Sequence, residues 1–299
     1  MLLGGAGFMG RALASRLHAS GHEVHVVARG TVVETLEGVH AHGGGMENID
    51  HLRGLFSRAD TVVHLASATT PGLSRRAPML EASGNIAPTL AILQELQQHP
   101  RTRLVFLSSG GTVYGNPGSH GATEQTPANP LSYYAAGKFA LETFLRTFAH
   151  LAGNRVVVLR PSNIYGPGQP MYQGFGVIRT MLQHLADGTT MEIWGDGSVV
   201  RDFIHVDDMV AAIECVLRDR EAGGTFNVGS GVGHSLNDIR MLAEAASGRT
   251  LDVSYAPSRS IDVARIVLDS TALQDRFGWK ARVNLAEGIR QTWDWLCTQ

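Results

Sequence analysis

Short β-branched and aliphatic runs alternate with longer stretches whose apolar positions recur at helical spacing through the first half of the chain. This is the pattern of parallel strands joined by crossover helices. Residues 23–28, 61–66, 103–108 and 155–160 predict strands. Residues 11–19, 86–97 and 137–151 predict helices, the last with Phe144, Phe148 and Leu151 on one face. A doubly wound α/β parallel sheet follows. Beyond Arg160 the pattern breaks into glycine- and proline-rich loops over residues 163–176, then helices over 177–185 and 206–217. The expected division is a large sheet domain over residues 1–160 with a return at about 202–228, and a smaller mixed α/β lobe over 161–201 and 229–299.

Gly4-Gly5-Ala6-Gly7-Phe8-Met9-Gly10 places glycines at every third position where the first strand turns into a helix. Glycine lets the backbone approach a pyrophosphate, and the helix N-terminus offers unpaired N–H groups and a positive dipole end. That makes residues 1–160 a dinucleotide-binding domain. The first strand has only three residues ahead of Gly4, where about five or six are usual, which points to a truncated or misassigned start. About 20 residues past such a loop an acid holds the ribose diol of NAD, or an arginine meets the 2′-phosphate of NADP. Here Ala28 stands at the acid's place and Arg29 follows it, which keeps NADP open beside NAD.

Tyr134 and Lys138 lie four apart at the start of a predicted helix, so they share a face. A phenol with a reference pKa of about 10 becomes a base near neutral pH only when positive charge stabilises its anion. Lys138 is one such charge and an oxidised nicotinamide ring would be another.

In these features the chain resembles the extended short-chain dehydrogenase/reductase family, the NAD-dependent epimerases and dehydratases, and within it the UDP-glucose 4-epimerase-like branch. The resemblance runs from Gly4 to about Leu296. It rests on the glycine turn, His64-Leu65-Ala66, the stretch from Ser108 to Gly115, Tyr134 with Lys138, Arg160-Pro161-Ser162-Asn163, the stretch from Arg201 to Asp208, and that from Phe226 to Gly231. It implies a Rossmann domain with a nucleotide-sugar-binding lobe, and a homodimer built on the helices over 86–97 and 137–151. It implies cofactor contacts from Gly4, Gly7, Phe8, Met9, Gly10, Arg29, Leu65, Ala66, Ser108, Tyr134, Lys138 and Pro161. Tyr134 becomes the acid/base, and Lys138 binds the nicotinamide ribose and depresses the tyrosine pKa. Asn163, Trp194, Arg201, Arg259 and Ile266 become substrate-binding residues, with Asn163 and the two arginines on the diphosphate. An ordinary role for Arg201 is an ion pair with Asp202 or Asp207.

The family's usual hydroxyl, four residues before the tyrosine of the Val-Tyr-Gly turn, is replaced by Gly110. Thr112 is the first substitute, because alternation along an extended segment puts it on the same side as Gly110; Ser109 is the second. Gly110-Gly111 also stands where dehydratase relatives carry an Asp-Glu pair, which disfavours dehydration. The expected activity is inversion at C4 of a UDP-hexose with tightly bound NAD. An NADP(H)-dependent carbonyl reductase and a non-catalytic dinucleotide sensor are the alternatives.

The remaining features narrow the class. At 299 residues and 43% apolar content the chain buries a sizeable core. Its net charge of -2, with scattered lysines and arginines, shows no footprint for nucleic acid or an anionic membrane. Cys215 and Cys297 form neither a disulfide framework nor a zinc motif, and no signal peptide or membrane span is apparent, so a reducing cytoplasm is expected.

Overall fold

Strands of a parallel sheet covered by helices on both faces must be apolar on both faces. Arg103–Leu107 and Val156–Pro161 meet this condition, being buried at every position. The computed structural model describes residues 1–30, 38–118, 120–171, 176–258 and 263–299. They form two compact units. The first comprises Met1–Ser109, Ser132–Arg160 and Ile213–Phe226; the second comprises Gly110–Leu131, Pro161–Ala212 and Asn227–Gln299. Gly110–Leu131 therefore groups with the second unit, whereas the sequence pattern runs the first domain unbroken to residue 160.

The large sheet has seven strands in the order Gly224–Val228, Val156–Pro161, Arg103–Leu107, Thr61–His64, Leu2–Leu3, Val24–Val27, Val39–His42. The ladders among its last six strands are parallel. The chain first winds outward from Leu2–Leu3 to one edge, then crosses back to Thr61–His64 and winds the other way. That reversal creates a crevice at the C-terminal ends of Leu2–Leu3 and Thr61–His64, where open α/β sheets bind ligands. Helical and strand side chains including Leu52, Phe56, Ile92, Leu96, Phe106, Leu141 and Leu145 fill the core of this unit.

Two helices start earlier than their apolar spacing predicts, because capping sets a helix start, whereas those at Val177 and Val206 begin at the predicted residues. Phe8–Ala19 begins straight after Gly7. Tyr133–Ala152 begins after Ser132, whose Oγ accepts the Ala135 N–H at 3.2 Å, and ends at Gly153 in the left-handed conformation (φ +75°). A turn of π-helix, Ala82–Ile86, precedes Ala87–Leu96. Of the three apolar residues expected on one face of the long helix, only Phe148 is buried, while Phe144 and Leu151 are 46% and 74% exposed. Lys138, Leu141, Leu145 and Phe148 define its buried stripe, and Phe144 and Leu151 sit on the flank of that stripe.

In the second unit Val200–His205 pairs with Gly233–Ser235 (antiparallel) and with Arg265–Ile266 and Asn163–Tyr165 (parallel). Met191–Trp194 and Val253–Ala256 form a separate parallel pair. Tyr165, Met181, Leu182, Phe203, Ile239 and Ile289 belong to its core. Among the described residues no helix is long and apolar enough to cross a membrane.

A buried ion pair joins the long helix to the sheet. Arg160 Nε donates to both Glu142 carboxylate oxygens at 3.0 and 3.1 Å, Arg160 Nη2 donates to Oε2 at 2.5 Å, and Ser108 Oγ also donates to Glu142. Both charged side chains are at most 5% exposed, so removing one strands the other without water. Arg160→Met is expected to lower unfolding free energy by about 3–5 kcal/mol in urea titration, and a second change, Glu142→Leu, to recover part of that loss. Equal stability of Arg160→Met and the wild type would contradict this account.

Candidate active site

At the crevice of the large sheet the backbone makes the site before any side chain does. Gly4 has φ +80°, and a Cβ there would stand 2.7 Å from Ala66 Cα and 2.8 Å from Ala66 N. Those are backbone atoms at the end of the adjacent strand and cannot give way. A Cβ at Gly10 would lie 2.4 Å from Gly5 Cα, and one at Gly5 would meet Val26 at 2.7 Å. Gly5 is thus as necessary as the glycines of the motif, through packing on the second strand that spacing alone does not show. Gly7 caps the helix with no side chain and no acid stands in the first turn. The first N–H groups of a helix have no partner within it, and together with the dipole they favour an anion. This cradle fits a dinucleotide pyrophosphate over Gly4, Gly7, Phe8, Met9 and Gly10.

The neighbouring strand ends complete this wall. Leu65 N–H donates to Leu3 O at 2.9 Å, and Ala66 faces Gly4. Ala28 N–H donates to His42 O at 3.1 Å, and Arg29 beyond it is exposed. The Ser108 hydroxyl donates to Glu142.

Tyr134 and Lys138 lie one turn apart on the buried side of Tyr133–Ala152. The Lys138 ammonium donates to Leu107 O at 2.8 Å and lies 4.9 Å from the centre of the Phe106 ring and 5.8 Å from that of Tyr134. Burial brings its pKa down to about 8, opposed by the carboxylates of Glu81 and Glu142. Burial also pushes the Tyr134 phenol up to about 12; its hydrogen bond with Ser109 pulls down and the charge of Glu81 pushes further up. Among the protein's own groups burial dominates, and the phenol is held protonated.

Ser109 is the hydroxyl bonded to Tyr134. Thr112 would share a side with Gly110 in an extended segment, but Gly110–Val113 is a helical turn, where alternation does not apply. Thr112 is half-buried and belongs to the second unit.

A buried polar network under this helix carried no sequence signal. Thr69 donates to Glu81, and Asn85 Nδ2 donates to Glu81 Oε2 at 2.8 Å and to Thr69 Oγ1 at 2.9 Å. Ser74 Oγ accepts the Tyr134 N–H at 3.1 Å. A Cβ at Gly137 would come within 2.8 Å of Glu81 Oε2, so the glycine between tyrosine and lysine makes room for that carboxylate. None of Thr69, Ser74, Glu81 or Asn85 stands in a spacing that distinguishes it from ordinary loop and helix polarity. His64, fully buried beside Thr89 at 3.0 Å, has its pKa brought down to about 3 by burial and stays neutral.

In the second unit, Asn163 Nδ2 donates to Asp202 O at 2.9 Å, and Arg201 Nη1 donates to Val200 O at 2.9 Å. The Asp202 carboxylate accepts from Ser230 N and Oγ, Gly231 N and Leu268 N at 2.7–3.2 Å. Asp207 lies 3.6 Å from His205. Ile266 is buried opposite Arg201 in the ladder, and Trp194 ends its strand with the indole 43% exposed. Pro161 closes Val156–Pro161 and is buried. Arg259 lies outside the described residues. Two motif residues serve each other: Tyr114 OH donates to Asn227 Oδ1 at 2.6 Å, while Asn227 Nδ2 donates to Ala122 O and Asp269 O.

Residues 1–229 match the profile of the NAD dependent epimerase/dehydratase family. The chain belongs to that family. It is 33% identical to a UDP-glucose 4-epimerase of Mycolicibacterium smegmatis over 98% of this chain and 96% of the relative. The fold matches a UDP-glucose 4-epimerase of Thermotoga maritima crystallised with UDP-glucose, with a TM-score of 0.93, 31% identity, and coverage of 99% of this chain and 98% of that one. A Thermus thermophilus UDP-glucose 4-epimerase in complex with NAD matches with a TM-score of 0.92, 32% identity and the same coverage, 99% and 98%.

The buried phenol yields a pH expectation. In ultraviolet difference titration of the protein stripped of its bound dinucleotide, the tyrosine signal lost in Tyr134→Phe should titrate above the free-tyrosine value of about 10. A signal titrating below 9 would show that Lys138 dominates burial after all.

Proposed function

We propose that the chain is a UDP-hexose 4-epimerase that interconverts UDP-glucose and UDP-galactose with tightly bound NAD. The observation that carries this reading is the Tyr134 phenol, hydrogen-bonded by Ser109 with Lys138 one turn along the same helix, in a chain related over its whole length to UDP-glucose 4-epimerases. The glycine turn holds the pyrophosphate on Gly4, Gly7, Phe8, Met9 and Gly10, and Leu65, Ala66 and Pro161 shape the walls around the dinucleotide. NAD, when bound, supplies a reversible acceptor for the hydride on C4 of the sugar. Tyr134 takes the proton of the 4-hydroxyl as the ketone forms and returns it as the alcohol is remade on the opposite face. Its raised pKa means that this base works only once positive charge stands beside the phenol, which couples proton removal to the oxidised cofactor. Lys138, anchored on Leu107 O, adds to that charge and offers its remaining N–H groups to the ribose.

Asn163, Arg201 and Arg259 are the groups we assign to the nucleotide diphosphate, with Trp194 and Ile266 shaping the nucleotide and sugar positions. Anchoring at the nucleotide end leaves the 4-keto sugar free to turn over between half-reactions. Gly110-Gly111 in place of an acid pair favours epimerisation over dehydration, although a dTDP-glucose 4,6-dehydratase of Actinoplanes is also a relative, at 28% identity over 99% of this chain and 96% of that one. We infer a cytoplasmic location from two free cysteines and a nucleotide-linked substrate. We also infer a homodimer, its contact built on the exposed flank that holds Phe144 and Leu151.

Incubation with UDP-galactose should form UDP-glucose with no net change in reduced nicotinamide; consumption of NADPH with a keto substrate and no epimer formation would favour a reductase instead. Tyr134→Phe should lower kcat by about 10² to 10⁴ fold while the protein still carries its dinucleotide. Ser109→Ala should cost about 10 to 1000 fold and more than Thr112→Val; the reverse order would return the hydroxyl role to Thr112. Light scattering should give twice the chain mass, and Phe144→Glu should shift it toward the monomer.

A further inference from the structure

At the edge of the large sheet Val24–Val27 runs parallel to Val39–His42, with His25 directly opposite His40 and Val27 opposite His42. Strand side chains alternate, so Glu23, His25, His40 and His42 share one face while Val24 and Val26 point into the core from the other. The rings are gathered closely: His25 stacks on His40 with centroids 4.7 Å apart and on His42 at 5.2 Å. His25 Nε2 lies 2.8 Å from Glu23 Oε1, and its Nδ1 lies 3.0 Å from His42 Nε2. One donor atom from each of Glu23, His25 and His40 lies within 4.8 Å of the others.

We propose that Glu23, His25 and His40 bind a divalent transition-metal ion of the zinc class, with His42 orienting His25. None of the four is assigned to the cofactor or the substrate. Two imidazoles and one carboxylate suit zinc and its neighbours, and leave magnesium and calcium short of oxygen ligands. His42 engages one ring nitrogen of His25, so the other nitrogen and the Glu23 carboxylate converge on a single ion, the usual division of labour between a ligand histidine and its outer partner. Metal–ligand bonds near 2.0–2.2 Å put tetrahedral donors about 3.3 Å apart, so the widest separation must close by about 1.5 Å. Glu23 and His40 are exposed and can rotate to do so, whereas His25, 17% exposed, is held by its neighbours. Arg58 Nη2, 3.5 Å from Glu23 Oε1, is an exposed and weak competitor for the carboxylate. A solvent-facing fourth position remains for water. The ion would clip the edge strand to its neighbour Val24–Val27, the strand that leads into Ala28-Arg29.

The test is calorimetric titration of the full, chelator-treated chain, with any affinity tag removed, using ZnCl₂, then CoCl₂ followed by visible absorption. One equivalent of zinc should bind with Kd at or below about 10 μM, cobalt should give the intense visible bands of a tetrahedral ion, and MgCl₂ should give no saturable heat. His40→Ala, an exposed change, should weaken zinc binding at least about tenfold, and His42→Phe by about tenfold, while His150→Ala on the long helix should leave it unchanged. No saturable zinc binding up to about 1 mM, or equal affinity in wild type, His40→Ala and Glu23→Gln, would overturn the proposal.

Discussion

A lysine ammonium cannot sit inside a protein without an acceptor, and the one Lys138 uses is the carbonyl of Leu107, 2.8 Å away at the end of a central strand. That bond sets how deep and at what rotation the helix Tyr133–Ala152 lies on the sheet. Arg160 and Ser108 hold the same helix one turn further on through Glu142, and Ser74 holds its first turn through the Tyr134 N–H. The phenol therefore sits on a helix fixed at several points, each of them a buried polar group that would be costly to leave unpaired.

Burial of that kind has a chemical consequence. It pushes Tyr134 up to about 12 and brings Lys138 down to about 8, so burial favours the neutral form of each and drives the two values apart, while each still keeps its proton near neutrality. Glu81 opposes ionisation of the tyrosine and favours the charged lysine, which keeps the pair in the proton-holding form. A phenol held this way keeps its proton until a further positive charge stands beside it.

Several motif residues turn out to hold backbone. The Asp202 carboxylate is spent on N–H and hydroxyl groups of Ser230, Gly231 and Leu268, and Asn227 is tied to Tyr114, Ala122 and Asp269. These bonds fix the loops of the second unit. Asn163 gains its orientation from the Asp202 carbonyl in the same way.

The order of strands and helices, the glycine turn and the Tyr134–Lys138 pair were readable along the chain, because each depends on local spacing: period two, period 3.6, or a φ that only glycine adopts easily. Helix starts were misplaced by three or four residues where Gly7 and Ser132 cap ahead of the apolar pattern. The hydrogen bond between Ser109 and the phenol, the need for Gly5 and Gly137, the network around Glu81 and the convergence of Glu23, His25 and His40 were decided by the fold. Each of these rests on atoms from segments distant in the chain, or on a turn whose geometry local propensity does not specify, and proximity of that sort exists only after the strands have found their register.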